Sequence, residues 1–159
     1  MQNLISKNLF QNSFEEILAK MFKSSVRFMS EQEKELIKVD GWLDVLSLIN
    51  LVGSKLSGAI LVSFNLPALQ SIFKSVFNES ISEINEEAAD LVGEIANQMA
   101  GRVKTALSPA GISFEMSSPL IWWGQVGGLK NLDNKVFHFL EYEVNNSGKA
   151  LLAFLVEEI

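Results

Sequence analysis

The order of helical and β patterns along the chain repeats once, and this repetition restricts the fold more than any other feature of the sequence. Each half has a helical pattern followed by two β-rich runs, and the last run of each half ("GAILVSF", "KALLAFLVEE") is strongly apolar. The segments "GSK" and "NNSG" supply the turns between paired runs. We therefore predict an α+β fold, in which two pseudo-repeated helix-plus-β-hairpin units form an antiparallel sheet with long helices packed on it.

Three segments have the apolar spacing of amphipathic helices. The first is predicted to begin just after Ser13, which has the capping-box spacing to Glu16, and the polar stretch "SEQEKELIK" leads away from this helix. A second helix has Pro67 in its first turn. The third and longest is predicted to run from Ser82 to about Leu107, where a Ser-Pro pair and a glycine follow.

Composition narrows the functional classes. A chain of 159 residues predicts a single domain spanning 1–159. The net charge of −6 and the scattered basic residues argue against nucleic acid as a partner. Without cysteine, and with His138 as its single histidine, the chain offers no thiolate or histidine-rich metal site. No basic leader precedes an apolar core and no apolar run is long enough to span a membrane, so we expect a cytoplasmic protein.

The stretch "DLVGEIANQMAGRVK", residues 90–104, lies inside the longest predicted helix. On a helical wheel its apolar residues, including Ala106 a little further on, occupy one arc that we assign to the core. Asp90, Glu94, Asn97 and Gly101 fall together on a strip that is turned away from that arc. The sequence therefore predicts a polar strip that faces solvent unless another molecule binds it.

Gly101 is costly at such a position. A glycine in an exposed helix interior destabilises the helix by roughly 1 kcal/mol relative to alanine. One reading is that another backbone or a bulky group must approach the helix closely there, and the other is that a long, well-packed helix tolerates the loss. Gly93 lies at the border of the strip and is weaker evidence for the close approach of a partner.

A Glu-x-x-Asn pair alone is weak evidence, because Glu143 and Asn146 form a second one at a strand end. The longer pattern is more specific: Asp90, Glu94, Asn97 and Gly101, followed by the Ser-Pro and Gly124 of "SSPLIWWG". The helix "DLVGEIANQMAG" with this downstream segment resembles the CheC/CheX/FliY family of chemotaxis phosphatases.

The number of motifs indicates the branch of that family. One complete motif in a chain of this length resembles the CheX branch, whereas CheC-like members carry two. The first helix contains "EILAKM" where the third contains "EIANQM", so Ala19 stands where the asparagine would be. The departures from the family pattern are Gln98 and the pair Trp122-Trp123. The tryptophans bear on dimer geometry more than on chemistry.

The resemblance implies hydrolysis of the aspartyl phosphate of a CheY-like receiver domain. Asn97 would orient the attacking water, because a carboxamide both donates and accepts hydrogen bonds without a charge that repels phosphate. Glu94 would dock on the receiver's lysine, with Asp90, Gln98 and Gly101 also at the partner interface. The receiver would hold the Mg²⁺, so the chain needs no cofactor of its own. The family also implies a homodimer, for which the apolar C-terminal strand and one tryptophan are candidates.

Two alternatives remain open at this stage. The same helix face could belong to a catalytically silent module that binds a receiver domain or a larger signalling assembly. A third class is a metabolite-binding domain with a pocket between helices and sheet. Strand alternation places His138 on the opposite face from Phe137 and Phe139, as a polar strand residue, and places Trp122 and Trp123 on opposite faces, one of them buried.

Overall fold

A computed structural model of the chain describes residues 6–35, 43–123 and 135–159. In this part of the chain, three α-helices and seven strands follow one another, and a single 3₁₀ turn (Ser108–Ala110) follows the last helix. The helices are α1 (Lys7–Phe22), α2 (Leu66–Phe77) and α3 (Glu86–Leu107), and the strands are β1 (Val26–Glu35), β2 (Val45–Val52), β3 (Leu56–Phe64), β4 (Glu115–Met116), β5 (Leu120–Trp123), β6 (Val136–Val144) and β7 (Gly148–Glu158).

The seven described strands form one antiparallel sheet, which confirms the predicted α+β class. The order is β1-β6-β7-β3-β2-β4, and β5 also pairs with β2. The hairpins β2–β3 and β6–β7 meet at the centre, where β3 pairs with β7. The strand that follows each long helix crosses to the other unit: β1 pairs with β6, whereas β4 and β5 pair with β2. The two units are therefore interlocked through the sheet.

Both predicted hairpin turns are confirmed. The first joins β2 to β3 through residues 53–55. In the second, Asn145 and Asn146 adopt left-handed conformations (φ 50° and 55°), which asparagine tolerates better than most residues. The Asn145 side chain also accepts a hydrogen bond from the Ser25 N–H at 2.8 Å and donates one to Ser71 Oγ at 3.0 Å. This turn therefore ties the start of β1 and helix α2 to the β6–β7 hairpin.

The predicted helix starts are wrong for α1 and α3. Helix α1 begins seven residues earlier than expected, because the Ser6 side chain accepts a hydrogen bond from the Leu9 N–H, and Ser13 is buried inside the helix. Helix α3 begins at Glu86, after Asn85, whose side-chain oxygen accepts from the Ala88 N–H at 2.8 Å. In each helix the observed cap residue, Ser6 or Asn85, accepts a hydrogen bond from one N–H group of the first turn that has no partner within the helix.

The stretch "SEQEKELIK" does more than lead away from α1, because its first six residues belong to strand β1. All ten residues of β1 are exposed or half-buried, and the strand lies at the edge of the described sheet. Pairing with β6 supplies its backbone hydrogen bonds. An edge strand of this kind has little need for the apolar alternation from which strands are predicted.

The core has two parts, one on each face of the sheet. The larger part lies between the sheet and the three helices, and the smaller part lies on the opposite face and includes Phe137 and Phe139. His138 lies on the face opposite Phe137 and Phe139, as expected, and there its ring stacks on Phe154 with centroids 5.1 Å apart. Trp122 is half-buried against the smaller part and Trp123 is 46% exposed, so neither tryptophan is fully buried.

Tyr142 is the one tyrosine of the chain and lies fully buried beneath α1, 5.0 Å from the ring of Phe14. Its hydroxyl has no hydrogen-bond partner within the described ranges. Burial raises the pKa of Tyr142 well above its usual value, and the nearby Glu15 carboxylate raises it further. The phenol therefore stays protonated at physiological pH and belongs to the core rather than to a reactive site.

Candidate functional site

Helix α3 packs one face on the sheet and presents the other to solvent. Val92, Ile95, Met99 and Val103 are completely buried against β2, β3 and β5. Ala106, which the helical wheel assigns to the core, is exposed instead, because it lines an open groove between α1 and the last turns of α3. The core contact of the last turn is made by Leu107.

The predicted polar strip lies on the outer face of α3. Asp90 and Glu94 are exposed, and Asn97 and Gly101 are half-buried. At a rise of about 1.5 Å per residue the strip extends for roughly 16 Å along the helix axis. The four residues therefore form a continuous surface to which a partner has access.

Glu94 and Gln98 are joined along the helix, since the Gln98 Nε2 donates a hydrogen bond to Glu94 Oε1 at 2.8 Å. This contact fixes the direction of the carboxylate without neutralising its charge. The carboxamide of Asn97 makes no hydrogen bond to any residue in the described ranges. A half-buried amide without a partner in its own chain has all its donor and acceptor groups available to a water molecule.

Gly93 and Gly101, the two glycines of α3, have different surroundings. A Cβ built on Gly101 would meet no atom within 4 Å, so no contact inside the described structure requires glycine there. A Cβ on Gly93 would lie 2.7 Å from Ile121 Cδ1 and 3.6 Å from the Pro119 ring. Gly93 therefore serves the packing of α3 on the segment around β5, and this was not predicted. Because Gly101 has no side chain, nothing projects from the outer surface of the helix at this position.

The Ser-Pro segment downstream of the helix lies next to it in space. Pro119 is adjacent to Gly93, and β5 follows directly and packs on α3. Ser117 fixes the segment to the sheet, because its Oγ accepts from the Asn50 N–H at 2.9 Å. The two parts of the sequence pattern thus form one structural unit. Gly124, the last residue of the pattern, lies outside the described residues.

The counterpart of the motif in α1 is differently arranged. Glu16, the equivalent of Glu94, accepts a hydrogen bond from Arg102 Nη1 of α3 at 2.7 Å and lies 3.9 Å from Lys20 Nζ. Ala19, the equivalent of Asn97, is exposed. The Glu16–Arg102 ion pair was not predicted, and nothing in the sequence indicates it, because its partners are 86 residues apart.

Two negative findings apply to the described residues. Between residues 6 and 159, outside the two gaps at 36–42 and 124–134, no group of three or more His, Asp or Glu side chains is arranged to hold a metal ion. None of the helices in the same ranges has the length and apolar character that a membrane crossing requires.

Comparison with known proteins finds one matching family model and several similar solved structures. The family model described as "Chemotaxis phosphatase CheX" matches residues 45–143, a range that contains α3 and the Ser-Pro segment. No curated protein sequence matches the chain.

Several solved structures share the whole fold. The chemotaxis protein CheX from Vibrio vulnificus is 24% identical, with a TM-score of 0.81 over 98% of this chain and 100% of that one. A chemotactic CheC-like protein from Shewanella oneidensis MR-1 is 26% identical, with a TM-score of 0.77 and the same coverage. The CheX of a CheX-CheY-BeF3-Mg complex from Borrelia burgdorferi is 16% identical, with a TM-score of 0.73 over 95% of this chain and 97% of that one. The chain belongs to the CheX family of chemotaxis phosphatases.

Proposed function

We propose that this protein hydrolyses the aspartyl phosphate of a CheY-like receiver domain, with Asn97 orienting the attacking water. The observation that carries the proposal is the half-buried carboxamide of Asn97, which faces outward beside Glu94 without a partner in the described part of its own chain. The family is one of phosphatases, and a relative has been crystallised with CheY, BeF3 and Mg. A receiver is therefore the substrate that best fits the exposed strip.

The reaction requires little from this chain. The oxygen of a water molecule attacks phosphorus, the bond from phosphorus to the aspartyl oxygen breaks, and the products are a free carboxylate and inorganic phosphate. Such transfers depend mainly on positioning and charge stabilisation. The receiver would supply the Mg²⁺ and a lysine that neutralise the phosphoryl oxygens. Asn97 would hold the water in line from a rigid helix, and a neutral amide avoids repulsion from the phosphoryl group.

Glu94 is assigned to docking rather than to proton transfer. Its carboxylate is exposed and directed along the helix by Gln98, so it can form an ion pair with the receiver's lysine. Asp90 adds a second negative charge one turn away, and Gly101 allows the receiver to approach the helix closely. Replacing Glu94 with alanine should weaken receiver binding while turnover at saturating receiver changes little. A pure turnover defect at unchanged affinity would contradict the docking role.

The catalytically silent module stays the second candidate, because the exposed Glu94, which Gln98 directs along the helix, would serve receiver binding equally well without catalysis. Loss of phosphate from a phosphorylated receiver, followed with and without the protein, separates the two candidates. The phosphatase proposal predicts accelerated loss. A receiver that binds without any acceleration would support the silent module.

The homodimer implied by the resemblance stays a prediction. Strand β7 cannot supply a free backbone edge for it, because β7 pairs with β3 on one side and β6 on the other. The remaining candidate is Trp123, which is 46% exposed near the β2 edge. We expect sedimentation velocity to give a dimer mass, and Trp123→Ser to shift it toward the monomer. Location in the cytoplasm likewise stays an expectation from the sequence.

A further inference from the structure

A groove with a volume of about 510 Å³ lies between the end of α2 and the first half of α3. Its apolar part consists of Phe73 and Leu91, which are buried, and Phe77, the last residue of α2, which is 47% exposed. The ring of Phe77 leans on that of Phe73 with centroids 5.2 Å apart. Phe77 therefore adds exposed apolar surface at the mouth of the groove to the buried apolar surface of its floor.

The rim of the groove is acidic. Its charged residues are Glu79, Glu87, Asp90 and Glu94, all exposed, and none of the described residues that line it is basic. Within the described ranges none of these four carboxylates forms an ion pair. An apolar surface bordered by four carboxylates, none of them in an ion pair within the described ranges, is complementary to a segment that carries both cationic and apolar side chains.

The groove continues directly from the candidate catalytic strip, since Asp90 and Glu94 belong to both. At about 1.5 Å per residue, Asn97 lies roughly 5 Å from Glu94 along the helix axis and roughly 15 Å from Glu87. A globular partner placed over Asn97 would therefore extend over the groove. The interface of such a partner would therefore bury a larger area of this protein than Glu94 and Asn97 alone provide.

The groove is also formed in advance of binding. Asn78 ends α2 in a left-handed conformation (φ 52°), and its N–H and that of Glu79 both donate to the Phe73 carbonyl. This cap fixes the backbone on both sides of the Phe77 side chain and turns Glu79 toward the rim. When a site is formed before binding, little binding free energy is lost in ordering its side chains.

From these observations we propose that the groove is a second docking site for the receiver, and that it binds a receiver segment with adjacent basic and apolar side chains near the phosphorylation site. The inference rests on the proposed function, because the occupant is taken to be the same receiver that meets Asn97. Phe77 is the apolar anchor, and the acidic rim selects receivers by the charge of that segment.

The test uses CheY-like receivers encoded in the same genome, activated with BeF3 and Mg²⁺, and measures their affinity for the intact protein by calorimetry. Phe77→Ser is expected to weaken binding by about tenfold, since anchor residues dominate interface energetics. The double variant Glu79→Gln, Glu87→Gln is expected to weaken binding by about threefold and to flatten its dependence on salt. For either variant, turnover at saturating receiver should equal that of the wild type.

Matched controls lie outside the groove. Phe28 on β1 is exposed to a similar degree (39%), and Glu83 is an exposed acid that does not line the groove, so Phe28→Ser and Glu83→Gln should leave affinity unchanged. Thermal melts establish that the variants are folded. If Phe77→Ser unfolds the protein, the double glutamine variant decides alone, because it changes only exposed side chains.

The outcomes separate this inference from the proposed function. If the wild type accelerates phosphate loss but the groove variants bind as tightly as the wild type, the docking inference is wrong and the phosphatase proposal stands. If the groove variants weaken binding but the wild type does not accelerate phosphate loss, the groove is a docking site of a silent module. If no activated receiver binds the wild type, both proposals fail.

Discussion

Helices α1 and α3 are the two copies of one element, and the comparison between them shows what a functional strip requires. Both carry a Glu-Ile pair with a methionine five residues after the glutamate. In α1 the glutamate is Glu16, which Arg102 and Lys20 partly neutralise. In α3 it is Glu94, whose described partner is the neutral Gln98. The α3 carboxylate therefore keeps its full charge for a partner.

The two helices also differ one turn further on. The residue seven positions after the glutamate is Lys23 in α1, where the helix ends in a left-handed conformation (φ 47°). In α3 the equivalent residue is Gly101, and the helix continues to Leu107. Asn97 is thus supported by helix on both sides, whereas Ala19 lies within one turn of a helix end. The loss of asparagine is only one of three differences that separate the copies.

Moving the asparagine from one copy to the other tests whether those other differences matter. We expect the double variant Asn97→Ala, Ala19→Asn to remain about 100-fold below the wild type in receiver dephosphorylation, a loss typical of removing one positioned group from an active site. The reason is that Glu16 is held by Arg102 and cannot dock. The assay is the decay of receiver phosphate. Recovery of wild-type turnover would show that the amide alone distinguishes the two helices.

A side chain added at Gly101 tests whether the missing side chain contributes to the difference between α3 and α1. Gly101→Leu should raise the free energy of unfolding by somewhat under 1 kcal/mol, because leucine favours helix more than glycine and a Cβ at this position meets no atom within 4 Å. Receiver affinity should nevertheless fall by about tenfold, because the side chain separates the two surfaces.

Thr105→Leu, one turn beyond on the exposed side of α3, is the control and should alter affinity much less. Chemical denaturation and titration with an activated receiver give the two quantities. Unchanged affinity of Gly101→Leu would mean that the glycine is simply tolerated.

Breaking the ion pair between the copies should have the smallest effect. Arg102 and Glu16 are both substantially exposed, so Arg102→Gln should lower the free energy of unfolding by less than about 1 kcal/mol. Turnover by Asn97 should be unchanged. Urea denaturation measures the first quantity and phosphate decay the second. A loss of several kcal/mol would mean that the pair holds α1 on α3.

Patterns within one element were enough to predict much of the fold. The periodicity of α3 placed its inner and outer faces, with Ala106 as the exception, and the turn segments placed both hairpins. Helix starts were less predictable, because several residues near each start can cap a helix, and the backbone path selects one. Strand β1 was missed because pairing with β6, rather than its own side chains, makes it a strand.

In the candidate site, too, the features that lie within one element could be predicted, and the contacts between elements could not. The strip from Asp90 to Gly101 is a property of one helix, so helical spacing was sufficient to place it. The ion pair of Arg102 with Glu16, the packing of Pro119 on Gly93 and the groove at Phe77 each join residues from different elements. Such contacts depend on how the elements are placed in space, and the spacing of residues within one segment carries no information about them.

The central claim is that the amide of Asn97 acts in turnover and not in holding the receiver. The direct test measures single-turnover decay of a phosphorylated receiver and, in parallel, affinity for the BeF3-activated receiver, for the wild type and Asn97→Ala. Alanine favours helix more than asparagine does, so the variant should fold normally. We expect the decay rate of Asn97→Ala to be about 100-fold lower than that of the wild type, and its affinity to stay within about twofold of the wild-type value. An Asn97→Ala protein that dephosphorylates the receiver as fast as the wild type would contradict it.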